Sequence, residues 1–226
     1  MAQRSGHLPL EFRETELGRH RRDDVLLSFG VPAGMVTALQ APVALGELCC
    51  RVARGSQAPA GGAVAIFGRD TRTFGAKDLE RLEHRVVAVL AAIPRIHDDL
   101  ALIDNATLTA RMLGMRARPV VNAARALFSE AGMGQDAERR PPQVGALAVR
   151  MTAVIRAVVA HPSLVIVEPE AIDTDVQFAE SCCRVLREFA AETGAGVFWT
   201  TSSTRLACAA DRAWTYSLGR AVDLDA

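Results

Sequence analysis

The stretch Ser163-Leu164-Val165-Ile166-Val167-Glu168-Pro169 decides the fold of this chain. Its four consecutive apolar residues show no polar alternation, which predicts a strand buried on both faces, as in a parallel sheet. Pro162 lies just before it and follows an apolar helix predicted over Val144 to Ala160. A helix that leads through a proline into a buried strand is typical of an α/β domain.

The bulk composition limits the classes of function. The 226 residues are 50% hydrophobic and carry 26 basic and 26 acidic side chains, a formal net charge of zero. That suits one domain, or one domain with an inserted subdomain, and no basic field indicates a nucleic-acid partner. No apolar run has the length of a signal peptide or a membrane span, so we expect a cytoplasmic protein that, if it works at a membrane, is carried there by a partner.

The five cysteines do not indicate a metal site or a disulfide framework. They form two adjacent pairs and a singleton, spacings that match neither zinc ligands nor secreted disulfides. We therefore expect reduced cysteines that serve as small core residues, and no metal ligands.

Strands and helices alternate along most of the chain, which predicts a mostly parallel sheet. Helices expected from about Leu102 to Ala160 interrupt this alternation. We predict a single domain over 1–226, in which about 95–160 is an inserted helical subdomain. The last strand is predicted over Ala213 to Leu218.

Several landmarks together resemble the ATP-binding cassette (ABC) ATPases. The helix end, Pro162, the apolar strand and Glu168-Pro169 are similar to that family's Walker B region. Asp104-Asn105 resembles the segment after its Q-loop, and Asp211 to Arg220 its closing pattern. The resemblance spans about Leu10 to Arg220 and implies a P-loop NTPase-like core with an antiparallel β portion and an inserted helical subdomain.

The motif of the family's phosphate-binding loop aligns with Gln40 to Leu48. We expect Gln40 to Ala44 to form a loop and a helix to start at Leu45. The chemistry of the family's loop requires glycines, a lysine for the β- and γ-phosphates and a hydroxyl for magnesium. The glycine positions carry Gln40, Val43 and Leu45, the lysine position is Gly46, and the hydroxyl positions are Glu47 and Leu48. The resemblance therefore implies a degenerate nucleotide site, and neither ATP nor magnesium is expected as a cofactor.

The other motif positions have changed as well. Val167 replaces the metal-binding aspartate, Ala92 the Q-loop glutamine and Thr201 the switch histidine. Small or apolar residues occupy the signature motif, which in the family presents a hydroxyl and N–H donors to a partner's γ-phosphate. The signature equivalents are Gly145, Ala146 and Leu147.

Glu168 is the one retained catalytic residue, since the family uses it to polarise the attacking water. Without the lysine, the metal acid and the histidine, a general base has nothing to act against. The alternative is a strand-end acid that makes a structural hydrogen bond. Asp173 lies near the family's D-loop position, in a loop one residue shorter.

Three functions remain open from the sequence. The first is a degenerate cassette scaffold, closest to the FtsE and lipoprotein-release group, that pairs with itself or an intact cassette. It would dock through Ile93 to Leu102 under a transmembrane permease. If the chain is FtsE-like, that permease is FtsX-like and the process is cell division or envelope remodelling. The second is an active ATPase whose rewired site uses Glu47 and Glu168 for metal. The third is a soluble α/β interaction module.

Overall fold

The computed structural model describes residues 7–17, 26–85, 87–173, 175–217 and 219–224. Its strands are β1 (Leu10–Glu16), β2 (Leu26–Val31), β3 (Val36–Gln40), β4 (Gly61–Ile66), β5 (Arg69–Asp70), β6 (Val87–Leu90), β7 (Leu164–Val167), β8 (Gly196–Thr201), β9 (Arg212–Ser217) and β10 (Arg220–Asp223). Its helices are α1 (Val43–Ala53), α2 (Ala76–Arg85), α3 (Leu102–Met112), α4 (Ala117–Glu130), α5 (Ala146–Val159), α6 (Val176–Thr193) and α7 (Thr204–Ala207).

The strands form one sheet in the order β5-β4-β1-β2-β10-β9-β3-β8-β7-β6. The segment β9-β3-β8-β7-β6 is parallel throughout, whereas β5-β4-β1-β2 and the β10–β9 pair are antiparallel. This arrangement agrees with the predicted mostly parallel sheet carrying an antiparallel β portion.

The parallel strands separate two hydrophobic layers. In β7, Val165 and Val167 belong to the larger core under the helices, and Leu164 and Ile166 to the smaller core beneath α1. All four side chains are at 0% exposure. The unbroken apolar run quoted above therefore reflects burial on both faces, as the sequence predicted.

The helices α3, α4 and α5 pack against one another and contribute Phe128, Met151 and Ile155 to the larger core. Asn105, also fully buried, lies on α3 and bonds the loop before it. These helices occupy most of the segment predicted as a helical subdomain, and that boundary remains our proposal.

The closing pattern fastens the C-terminal part of the chain to β3. The Asp211 carboxylate accepts a hydrogen bond from the Val36 amide at 2.8 Å, and the Asp211 amide donates to the Val36 carbonyl at 3.0 Å. Arg187 on α6 donates to the same carboxylate at 2.8 Å. Asp211 thereby fixes the start of the strand that leads to the candidate site.

Two sequence-based boundaries are wrong. The predicted loop over Gln40 to Ala44 is too long, because α1 already begins at Val43. The predicted last strand corresponds to β9, but β10 follows it and pairs with it. Leu218, the predicted end of that strand, lies outside the described residues.

Four of the five cysteines are buried, as expected of core residues, and Cys208 is exposed. Burial raises the pKa of the Cys50 thiol to about 12 and that of Cys183 to about 11. Within the described part of the chain, no helix is both long and apolar enough to cross a bilayer.

Candidate nucleotide site

The connection between β3 and α1 is a turn of two residues, Ala41 and Pro42. The Ala41 amide donates to the Thr201 carbonyl at 2.9 Å, which attaches the turn to the end of β8. The Leu45 and Gly46 amides both donate to the Pro42 carbonyl at 2.9 Å. Helical hydrogen bonding therefore starts where the sequence placed the middle of a phosphate-binding loop.

Gln40 is held by its side chain at the end of β3. Its amide nitrogen donates to Thr204 Oγ1 at 2.8 Å, and its amide oxygen accepts from Thr215 Oγ1 at 3.0 Å. A glycine at this position would make neither bond. Gln40 thus connects β3 to α7 and β9 at the point where the family has the first glycine of its loop.

Gly46, at the family's lysine position, lies against the ends of β7 and β8. A Cβ atom there would come within 2.7 Å of Pro169 Cγ and within 3.1 Å of Thr200 Cβ and Oγ1. Real Cβ atoms essentially never approach to 2.7 Å, so a side chain would displace α1 or Pro169. A glycine inside a helix lowers stability by about 0.5–1 kcal/mol relative to alanine. The close packing of Gly46 on the strand ends explains why a glycine is present here.

Cys50 on α1 and Arg54, the C-cap residue of that helix, contact the same strand ends at helical spacing. Cys50, four residues after Gly46, places its Sγ 3.6 Å from the Val167 carbonyl oxygen and 3.4 Å from Thr200 Oγ1. Arg54, four residues further, donates to Glu168 Oε1 at 3.2 Å. Residues at i, i+4 and i+8 share one helix face, so we call Gly46, Cys50 and Arg54 the α1 contact face.

Glu168 is therefore engaged by a cation from its own chain. The Arg54 and Glu168 side chains are 28% and 22% exposed, so the pair is only partly open to water. Glu47, which would hold a metal together with Glu168 if the site were an active, rewired one, is exposed. Its Oε2 lies 3.8 Å from Nη1 of Arg51. Among the described residues, no group of three or more His, Cys, Asp or Glu side chains could hold a metal ion.

Val167, at the position of the metal-binding aspartate, is a core residue at 0% exposure. It is paired in register with Leu90 on β6 and Trp199 on β8, and all three belong to the larger core. An ionised carboxylate between these two apolar neighbours would lose its hydration without gaining a polar partner from either of them, which is strongly unfavourable.

Thr201 and Asp173, at the switch-histidine and D-loop positions, form a direct contact. Thr201 Oγ1 donates to Asp173 Oδ2 at 2.5 Å and accepts from the Ser203 amide at 3.0 Å. Burial raises the pKa of the Asp173 carboxyl, and the hydrogen bonds from Thr201 and the Ser202 amide partly offset that effect. The sequence did not predict this pairing.

The signature equivalents lie at the start of α5. Gly145 is the N-cap residue, Ala146 begins the helix, and Leu147 is 39% exposed. Gly145 supplies no side-chain hydroxyl, and a Cβ there would meet nothing within 4 Å. Ala92, at the Q-loop position, lies in the loop after β6, where its methyl group offers no polar atom.

Sequence reasoning missed Arg54 and Thr200 as members of this region. The signal for Arg54 was available in the spacing, because residues 46, 50 and 54 follow the period of a helix face. Its partner, Glu168, is 114 residues away, so the pair itself depends on the fold.

We expect Gly46→Lys to lower the free energy of unfolding by about 1–3 kcal/mol, because the new side chain meets Pro169 and Thr200. The matched control is Ala44→Lys, which puts the same charge in the same first turn at an exposed position and should change stability by about 0.5 kcal/mol or less. Urea unfolding measures both variants. Equal stability of the two variants would contradict the close packing described for α1.

Asp173→Asn should raise the free energy of unfolding at pH 7. Folding raises the pKa of Asp173, so its contribution to the free energy of unfolding is fully present below the unfolded pKa, about 3.9. That contribution is lost as the pH rises through the folded pKa, because the buried carboxyl must then ionise. The gain from the neutral amide should therefore shrink as the pH is lowered. Urea unfolding across this pH range tests it, with the exposed Asp98→Asn as control. A gain that is independent of pH would contradict the burial effect.

Comparison with known proteins agrees with the resemblance seen in the sequence. The chain is 26% identical over 196 residues to the lipoprotein-releasing system ATP-binding protein LolD of Nitrobacter hamburgensis, covering 85% of this chain and 84% of that protein. It is also 26% identical to LolD of Anaeromyxobacter dehalogenans, over 80% and 77% of the two chains. No family model matches the sequence.

Solved structures share the fold. A dimeric ATP-binding cassette in a post-hydrolysis state with ADP and Pi superposes with a TM-score of 0.76 at 14% identity, covering 94% of this chain and 96% of that one. The cbiO1 subunit of the Clostridium perfringens cbiONQ transporter complex gives a TM-score of 0.77 at 12% identity, covering 96% and 87%. The predicted fold class is confirmed, and the chain is similar to ATP-binding cassette ATPases, with LolD proteins of lipoprotein-releasing systems among its relatives.

Proposed function

We propose that this chain is a degenerate cassette subunit of an ABC-transporter-like membrane complex. Its binding and hydrolysis of ATP are lost or strongly impaired, and it serves as a scaffold. It lies on the cytoplasmic face of the membrane, attached through a transmembrane permease-like subunit. The similarity to LolD proteins supports the partner class, and the site residues described above support the loss of nucleotide chemistry.

The observation that carries this proposal is the packing at Gly46. A phosphate-binding loop needs converging backbone N–H groups and a lysine, and the helix here occupies that space with no room for a side chain. Val167 removes the metal acid, and Arg54 engages the remaining glutamate. The residues present therefore do not fit MgATP bound in the family's manner.

The relatives favour lipoprotein release over cell division as the process. Both were named for this chain from the sequence, but the relatives described above are LolD proteins, which give no support to an FtsX-like partner. We therefore propose a permease-like partner of the lipoprotein-release type. A homodimer or a pair with an intact cassette remains part of the proposal, and a formal net charge of zero favours no nucleic-acid partner.

The partner would dock at the cleft between the sheet and the helical block. The loop from 91 to 101 borders this cleft, and Ile93 within it is a large apolar side chain that is 84% exposed. Burying Ile93 against an apolar partner segment would be favourable.

Calorimetric titration of the purified chain with MgATP, with hydrolysis assayed on the same sample, tests the proposal. We expect neither binding heat nor turnover, while an intact LolD protein assayed in parallel gives both. The variant Glu168→Gln should behave as the parent chain does. Tight MgATP binding, or turnover that Glu168→Gln abolishes, would contradict the loss of nucleotide chemistry.

A further inference from the structure

A cleft of about 510 Å³ lies between the edge strand β6, the loop that follows it, and the helices α3 and α5. Part of its lining is apolar, including Val87, Val89 and Leu113, with Ile93 at its border. The volume is in the range of sites that bury a few side chains or a small ligand. It is distinct from the contact between the start of α1 and the strand ends.

The loop that forms one wall is held in place by two groups from the helical block. Asn105, at 0% exposure, accepts from the His97 amide at 2.8 Å and donates to the His97 carbonyl at 2.9 Å. The Arg156 guanidinium donates to the Arg95 carbonyl at 2.7 Å. The wall is therefore ordered without an occupant, so little ordering cost would accompany binding.

The charged groups that line the cleft are all cationic or basic. They are Arg54, Arg95, His97 and Arg156, and no aspartate or glutamate is among the lining residues. Arg54 is already paired with Glu168, whereas neither Arg95 nor Arg156 has a carboxylate partner among the described residues. Asp98 and Asp99 follow in the same loop, but they are exposed and do not line the cleft.

Arg156 stands out because it is partly buried and lacks an anion. Burial lowers the pKa of its guanidinium, and no neighbouring carboxylate in the described chain offsets that effect. Its bond to the Arg95 carbonyl satisfies one of its five N–H donors. A planar guanidinium that is partly buried is well suited to bind a carboxylate through two hydrogen bonds.

We infer that the partner segment that enters this cleft is an acidic amphipathic helix, which places a carboxylate on Arg156 and Arg95 and apolar side chains against Ile93 and Leu113. This rests on the proposed function, since it specifies the chemistry of the permease-like subunit's docking segment. The apolar half of the lining distinguishes such a segment from a free phosphate, which would leave that surface uncovered.

The test uses two synthetic peptides of about 18 residues, a length at which isolated helices begin to be stable in water. Both carry leucines on one helix face, and they differ in that one has two glutamates beside the leucines where the other has glutamines. Binding to the full chain is measured by fluorescence anisotropy at low and at high salt. We expect the glutamate peptide to bind about tenfold more tightly at low salt, with the preference reduced at high salt.

Two variants place the interaction in the cleft. Arg156→Gln should abolish the preference for the glutamate peptide, whereas Arg118→Gln, an exposed arginine on α4, should keep it. Because Arg156 also holds the loop, Ile93→Glu provides a second test on a side chain that is 84% exposed. Ile93→Glu should weaken binding of the glutamate peptide about tenfold. Val176→Glu, at an exposed apolar site on α6, should not change that binding.

Equal binding of the two peptides, absence of binding by both, a preference that survives Arg156→Gln, or an unchanged affinity for the glutamate peptide in Ile93→Glu would overturn the inference. If inorganic phosphate competes with binding of the glutamate peptide to the parent chain, but has no effect on peptide binding by Arg156→Gln and Ile93→Glu, the cleft is instead a phosphate site. These outcomes are separate from the calorimetric test, because MgATP binding at α1 could fail or succeed whatever the peptides do.

Discussion

The packing of α1 on the ends of β7 and β8 is the constraint on which the candidate site depends. Three residues spaced by four, the α1 contact face, meet Pro169, Thr200, the Val167 carbonyl and the Glu168 carboxylate. A glycine at the first of these positions lets the helix approach the strands closely. The turn before the helix has two residues, and the Leu45 and Gly46 amides donate to the Pro42 carbonyl at its end.

The same packing gives Glu168 a structural contact. In an active cassette this acid faces the attacking water, but here Arg54 at the end of α1 donates to it. Breaking a partly buried pair by removing one charge leaves the other without a partner, and that is why such pairs persist once formed. Glu168 thereby joins the helix, the strand end and the border of the cleft through residues of one chain.

The sequence predicted the elements whose signal is local and strong. The apolar run of β7 has the predicted bounds, Leu164–Val167. The start of α1 was wrong because the resemblance assigned a loop to residues that lack its glycines, and their own helical preference prevails. The two-residue strand β5 forms only by pairing with β4, and the Arg54–Glu168 contact spans 114 residues, so neither has a local signal.

Amide hydrogen exchange of the segment Gln40 to Leu48, with and without MgATP, tests the central claim most directly. The Leu45 and Gly46 amides already donate to the Pro42 carbonyl. A closed helix start that offers no phosphate site should exchange at the same rates in millimolar MgATP as in buffer. Added protection across this segment with MgATP would show that the turn opens to hold phosphate, and it would contradict the account.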